Sequence, residues 1–192
     1  MIDHPDITAG ILVGGRGRRM GYIDKAQLTR TDGRSYLQHL VSELRPCVAE
    51  ILLLGRDDQR FTQAKFPLIA DRLPDTGPMS GLESLLSYSV TPWGLLVACD
   101  MPAFDARLVS LLARARDDAA EVIVPESQGR CHPVCALYRS ELGDAVTVEI
   151  DAGRLALQDF LKQRAVCAVS VPADLEGALL NVNHPQDLAR PD

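Results

Sequence analysis

Ile11-Leu-Val-Gly-Gly-Arg-Gly-Arg-Arg-Met-Gly-Tyr-Ile-Asp-Lys25 is the stretch on which the reading of this chain turns. An apolar run stops at Gly14 and Gly15. Arg16, Arg18 and Arg19 follow, then Gly21 and the pair Asp24-Lys25. Glycines let a backbone turn tightly and bring its N–H groups close to a ligand. Guanidinium forks and an ammonium supply fixed positive charge to phosphate oxygens. A strand ending in such a loop suggests a polyphosphate site. Two other readings compete. One is an arginine-rich surface turn after a glycine pair that merely ends a strand. The other is a dinucleotide fold, because Gly15-Arg-Gly17 resembles the start of its fingerprint, although three residues rather than two separate Gly17 from Gly21. No Gly-Lys-Ser or Gly-Lys-Thr follows, which excludes a P-loop.

Outward from this loop, short apolar runs alternate with segments of helical period. Strands are expected at Ile7–Val13, Glu50–Leu54, Leu68–Ala70, Gly94–Ala98, Glu121–Val124, Val134–Tyr138 and Val166–Val171. Ile51–Leu54 and Leu95–Ala98 are apolar throughout, as suits strands covered on both faces. Leu37, Leu40, Val41 and Leu44 follow the i, i+3, i+4, i+7 rule. Leu108, Leu111, Leu112 and Ala115 do the same after a cap expected at Asp105. Leu82, Leu85 and Leu86 mark a further helix after Gly81. Gly129-Arg130 reads as a hairpin turn, and late helices are expected from Ser140 to near Gly153 and from Leu155 to Gln163. The alternation predicts a three-layer α/β/α, Rossmann-like fold with a mostly parallel sheet and right-handed crossovers. At 192 residues the chain reads as one domain, residues 1–192.

Composition narrows the function classes. The formal net charge of -6 disfavours general adhesion to nucleic acid, so the cationic loop is local. No apolar window approaches a membrane span. The acidic start, Met1-Ile-Asp-His-Pro-Asp6, lacks a basic leader and an apolar signal core, and a cytoplasmic protein is expected. Five cysteines, an odd number, fit reduced thiols. Cys131 and Cys135 are spaced as two metal ligands, but no second pair accompanies them.

In a doubly wound sheet, ligands bind at the carboxyl ends of the strands. Gly55-Arg56-Asp57, Asp71 and Cys99-Asp-Met-Pro102 hold that position, as the first loop does. Asp100 beside a phosphate loop is placed to hold Mg2+, which takes oxygen ligands and keeps water and phosphate partners; its plainer role is to cap a turn. Pro74–Gly81 runs into a helix whose N-terminus near Ser80 suits an anion, or is simply a capped loop. Asn181 and Asn183 point the same way in extended chain and suit a metal or a polar substrate, or form a turn before a helix at Pro185. His132, before Pro133, is a base candidate or a hydrogen-bonded loop residue.

The ordered set of motifs resembles the molybdenum cofactor guanylyltransferases of the MobA type. Their nucleotide-binding signature runs Leu-Ala-Gly-Gly, three residues, Arg-Met-Gly, two residues, Asp-Lys, which Leu12–Lys25 matches with Val13 in place of alanine. Asp71 after Ile69-Ala70, Gly77–Gly81, Cys99–Pro102, His132-Pro133 and Asn181–Pro185 match in family order over nearly the whole chain. Gly55 stands where the family commonly has an asparagine that contacts the nucleotide, which removes part of the discrimination between bases. The resemblance implies transfer of GMP from GTP to molybdenum-molybdopterin, giving molybdopterin guanine dinucleotide cofactor and pyrophosphate. It implies Arg19, Lys25 and Asp100 as catalytic residues, and Mg2+ on Asp100. Nucleotide contacts would come from Leu12, Val13, Gly14, Gly15, Lys25, Gly55, Asp71, Gly77, Gly81 and Asp100. His132, Arg154, Asn181 and Asn183 would face the acceptor. Molybdopterin-insertion proteins or molybdoenzyme chaperones are the implied partners, with no nucleic acid and no membrane. Rivals are a cytidylyltransferase for molybdopterin, a guanylyltransferase for another phosphorylated acceptor, an NAD-type dehydrogenase, and a nucleotide-sensing module with a decayed site.

Overall fold

The computed structural model describes residues 3–13, 28–55, 66–73 and 76–182. Within these, β1 (His4–Leu12), β2 (Val48–Gly55), β3 (Leu68–Ala70) and β4 (Trp93–Ala98) run parallel in the order β3-β2-β1-β4. The sheet continues through β7 (Cys135–Arg139) to β5 (Val122–Ser127), and β5 pairs in parallel with β8 (Val166–Ser170). β7 runs antiparallel to both neighbours, and β6 (Arg130–Cys131) is a short hairpin partner of β5. Every residue of β4 is buried, as its unbroken apolar run requires of a central strand. The hairpin forms one residue earlier than expected, at Gln128 and Gly129, with Arg130 already in β6; φ values of 51° and 72° give the primed turn that matches strand twist.

The helices divide between the two faces. α1 (Tyr36–Leu44) and α3 (Arg107–Arg114) bury Leu40, Leu44, Leu108 and Leu112 against Ile11, Leu53, Leu95 and Val97. α2 (Pro78–Tyr88), α4 (Gly143–Asp151) and α5 (Leu157–Leu161) bury Leu82, Leu85, Val146 and Phe160 against Leu54, Leu96, Val124 and Tyr138. This is the three-layer arrangement that the alternation predicts. A capping box opens α1: Ser35 Oγ accepts from the Gln38 N–H at 3.1 Å, and Gln38 Oε1 accepts from the Ser35 N–H at 2.9 Å.

Local starts differ from expectation. α2 begins at Pro78, two residues before Ser80, because proline suits the first helical position. The cap position of α3 is Ala106, while Asp105 accepts from the Arg107 N–H at 2.8 Å from one residue earlier. α5 is shorter than the stretch Leu155–Gln163. Cys135 is buried in the core, and burial pushes its thiol up to about 12. No helix among the described residues is long and apolar enough to cross a membrane.

Candidate active site

Register places the ends of the parallel strands along one edge. Leu12 pairs with Leu54 on one side and with Ala98 on the other, and Gly55 pairs with Ala70. Backbone hydrogen bonds then stitch together the residues just beyond the strands. The Val13 N–H donates to Leu54 O at 2.9 Å, the Asp71 N–H to Gly55 O at 3.0 Å, and the Cys99 N–H to Leu12 O at 3.2 Å. The Val182 N–H donates to Asp100 O at 2.9 Å, which brings Asn181 beside the end of β4 from far along the chain. Leu12, Val13, Gly55, Asp71, Asp100 and Asn181 therefore share one rim. Gly14, Gly15, Arg19, Lys25 and Asn183 lie outside the described residues.

α2 reaches the same edge through a close approach. A Cβ on Gly81 would lie 2.1 Å from Leu12 Cδ2, so glycine lets the helix seat over the end of β1 without displacing the Leu12 side chain. Gly77 holds the cap position of the helix with φ of 71° and, as glycine, has no side chain with which to cap the first turn. N–H groups of a helix first turn suit an anion.

Asp100 is almost wholly buried for a carboxylate, with 9% of its surface exposed. Among the described residues no three His, Cys, Asp or Glu side chains gather into a metal cage. A hard cation at this edge would take its protein ligand from a carboxylate such as Asp100 and fill its shell with water and substrate oxygens.

His132 and Arg154 belong to the same end of the molecule. The Ala98 N–H donates to Val134 O at 3.1 Å, which sets His132-Pro133 beside the end of β4. Buried Tyr138 donates from its hydroxyl to Pro133 O at 2.7 Å and pins that turn from below. His132 Nε2 lies 3.0 Å from Ser127 Oγ. Burial, with the nearby Arg130 charge, lowers the His132 pKa. The 3-10 turn Ser140–Leu142 that leads into α4 donates from the Ser140 N–H to Pro92 O, at the far end of β4, and α4 finishes with Asp151 paired to Arg72 at 3.1 Å, just past Asp71. Arg154 follows this tip. Its Nε and Nη2 donate to the two oxygens of Glu149 at 2.6 and 2.9 Å, which lowers the Glu149 pKa and fixes the fork.

Sequence reasoning missed the polar supports beneath the rim. Glu83 Oε1 accepts from Arg72 Nε at 2.8 Å and from the Thr147 hydroxyl at 3.0 Å, while Glu83 Oε2 is buried with no hydrogen-bond partner among the described residues. The signal was present: Glu83 lies four residues after Met79 and three before Leu86, on the apolar face of α2.

Residues 9–168 match the family described as MobA-like NTP transferase domain. The chain is 32% identical over 187 residues to a molybdenum cofactor guanylyltransferase of Shewanella sp. (strain MR-4), covering 96% of this chain and 94% of that protein. It is also 32% identical over 143 residues to a probable molybdenum cofactor guanylyltransferase of Clostridium perfringens, covering 74% and 71%. Among solved structures it resembles molybdopterin-guanine dinucleotide biosynthesis protein A from Archaeoglobus fulgidus, with a TM-score of 0.81, 20% identity and 94% of each chain covered. A 2-C-methyl-D-erythritol 4-phosphate cytidylyltransferase from Thermus thermophilus shares the fold at a TM-score of 0.66 and 18% identity, covering 93% of this chain and 94% of that one. The sheet with its rim of strand-end motifs, and similarity over nearly the full length, place this chain in the MobA-like NTP transferase family.

Proposed function

We propose that this protein is a molybdenum cofactor guanylyltransferase, which joins GMP from GTP to the terminal phosphate of molybdenum-molybdopterin and releases pyrophosphate. The observation that carries the reading is the meeting of β1, β4 and the Asn181-Val182 segment at one edge through the bonds at Leu12 and Asp100. An oxygen of the acceptor phosphate attacks the α-phosphorus of GTP. The bond from that phosphorus to the bridging oxygen breaks, and pyrophosphate leaves with the electron pair. The acceptor is ionised near neutral pH, so alignment and charge neutralisation matter more than a strong base.

In this reading Gly14 and Gly15 offer backbone N–H groups to the triphosphate, and Arg19 and Lys25 stabilise charge on the leaving pyrophosphate. Leu12, Val13, Gly55, Asp71, Gly77 and Gly81 shape the nucleotide side. Asp100 holds Mg2+, which supplies Lewis-acid neutralisation of the phosphate oxygens when bound. Its nearly buried carboxylate suits a hard cation that arrives with the nucleotide and keeps water and phosphate oxygens as further ligands. Arg154, already oriented by Glu149, turns its remaining N–H groups towards the acceptor with His132, Asn181 and Asn183.

The decisive assay incubates pure protein with GTP, Mg2+ and molybdenum-molybdopterin and measures pyrophosphate and the dinucleotide product. Both should form in equal amounts. Asp100→Asn should lower the rate at least about a hundredfold with the circular-dichroism spectrum unchanged, and Lys25→Ala at least about tenfold. A parallel CTP arm tests the second reading, a cytidylyltransferase for the same acceptor, which Gly55 keeps open by withholding a side chain that would help to discriminate between bases. Turnover with CTP alone would replace the guanylyl reading; no pyrophosphate with either nucleotide would end both.

A further inference from the structure

Three side chains from one short stretch hold alternate backbone groups of the turn that follows Asp100. Arg30 Nη1 donates to Pro102 O. His39 Nε2 lies 2.9 Å from Phe104 O. The Ala106 N–H donates to Glu43 Oε2 at 3.1 Å. His39 and Glu43 sit four residues apart on α1 and so project from one face of the helix. A carbonyl can only accept, so His39 Nε2 carries the proton and the imidazole donates.

The same stretch grips the other partner of Asp100. The Tyr36 N–H donates to Leu28 O at 2.9 Å, and Leu28 packs with Tyr36 and Val182 in a small apolar cluster. Val182 in turn donates to Asp100 O. Residues 28–43 therefore touch the chain beyond Asp100 and the segment that pairs with it, and they begin three residues after Lys25.

A turn can be closed by its own backbone bonds at less cost. Here a buried imidazole, only 7% exposed, is used instead, and burial, with the charges of Arg30 and Arg34, depresses its basicity. A polar group in such a place is retained where position matters more than raw stability. We propose that Arg30, His39 and Glu43 form a positioning device for the Asp100 carboxylate, fixing the 100–106 turn on α1. This rests on the reading of Asp100 as the metal-holding group.

The test follows Mn2+ binding in the presence of GTP by the electron paramagnetic resonance signal of free Mn2+, in the full-length protein. Metal-free GTP binding in EDTA and the thermal midpoint are measured alongside. His39→Leu and Glu43→Ala should each weaken Mn2+ binding about fivefold and raise the Mg2+ needed for half-maximal turnover to match. Metal-free GTP binding should stay within about twofold, the margin of a contact worth a few tenths of a kcal/mol. His39→Gln, which keeps an N–H donor, should restore Mn2+ binding to within the same margin. Folded His39→Leu and Glu43→Ala proteins that bind Mn2+ like the parent would overturn the proposal. So would a glutamine variant as weak as the leucine one at an equal thermal midpoint. If His39→Leu does not fold, Glu43→Ala decides alone. Asp100→Asn is the control that separates the two readings. If it leaves Mn2+ binding intact, the metal-holding role falls and the positioning role with it. If it loses binding while both ladder variants keep theirs, only the positioning role falls.

Discussion

Gly55 ends β2 with a φ of 147°, a backbone conformation that residues with a Cβ rarely adopt. The family resemblance leads one to expect asparagine there, so the departure has a local cause in the path the chain takes out of the strand. Restoring asparagine would force either that φ on a residue with a side chain or a shift of the chain beyond β2. Gly55→Asn is expected to cost about 1–3 kcal/mol of stability. A lower urea midpoint at unchanged slope would register it. An unchanged midpoint would mean that the strand end tolerates the family residue, and that glycine is present for another reason. The consequence for function is that discrimination between bases must come from other groups on the rim, which is why the CTP arm of the assay matters.

At the scale of elements, α2, α4 and the turn after β3 meet through one guanidinium. Arg72 spans Glu83 and Asp151, and Glu83 is also held by Thr147. Arg72 is half exposed, so the ion pairs by themselves contribute little in water. The asymmetry lies in Glu83, a nearly buried carboxylate with one oxygen unpartnered among the described residues. Removing its cation should hurt more than removing the acid. Arg72→Ala is expected to lower the urea midpoint, because a nearly buried acceptor loses its charged donor. Glu83→Met should be nearly neutral, because a well-packed apolar side chain avoids the desolvation cost. Chemical denaturation of both variants checks the order; a larger loss for Glu83→Met would show that the network itself carries stability. The sequence made the layers legible because each strand and helix repeats its period over several residues: the apolar run Leu95–Ala98 and the stripe through Leu40 and Leu44 each state one environment many times. It made the rim legible because motifs at strand ends are ordered along the chain. Pairings such as Arg72 with Asp151 or His39 with Phe104 leave no periodic trace. They join single residues across 79 and 65 positions of chain, and only the folded path brings them together.

For the molecule as a whole, pH is the variable that reaches several supports at once. Burial holds the His39 and His132 pKa values below the ordinary value of 6.5. Both rings are therefore neutral in the folded protein over a range where the unfolded chain binds protons. Below about pH 6.5 the unfolded state takes up more protons than the folded one, so stability falls as pH falls and recovers as pH rises through that window. The loss levels off beneath the folded pKa of each ring. Carboxylates held low by arginine, such as Glu149 beside Arg154 and Asp32 at about 2 beside Arg34, act with the same sign but further into acid. The two windows should therefore separate in a titration of stability. Each histidine limits the slope to about 1.4 kcal/mol per pH unit, so the pair gives a slope of at most about 2.7 kcal/mol per pH unit between pH 5 and 6.5. His39→Gln keeps the donor to Phe104 O but cannot take a proton, and it should roughly halve that slope while leaving stability at pH 8 within about 1 kcal/mol. Urea midpoints measured from pH 8 to 5 for the parent and this variant make the comparison. Coincident curves would show that His39 takes up its proton equally in both states, and that the imidazole beneath the Asp100 turn is open to water rather than sealed against it.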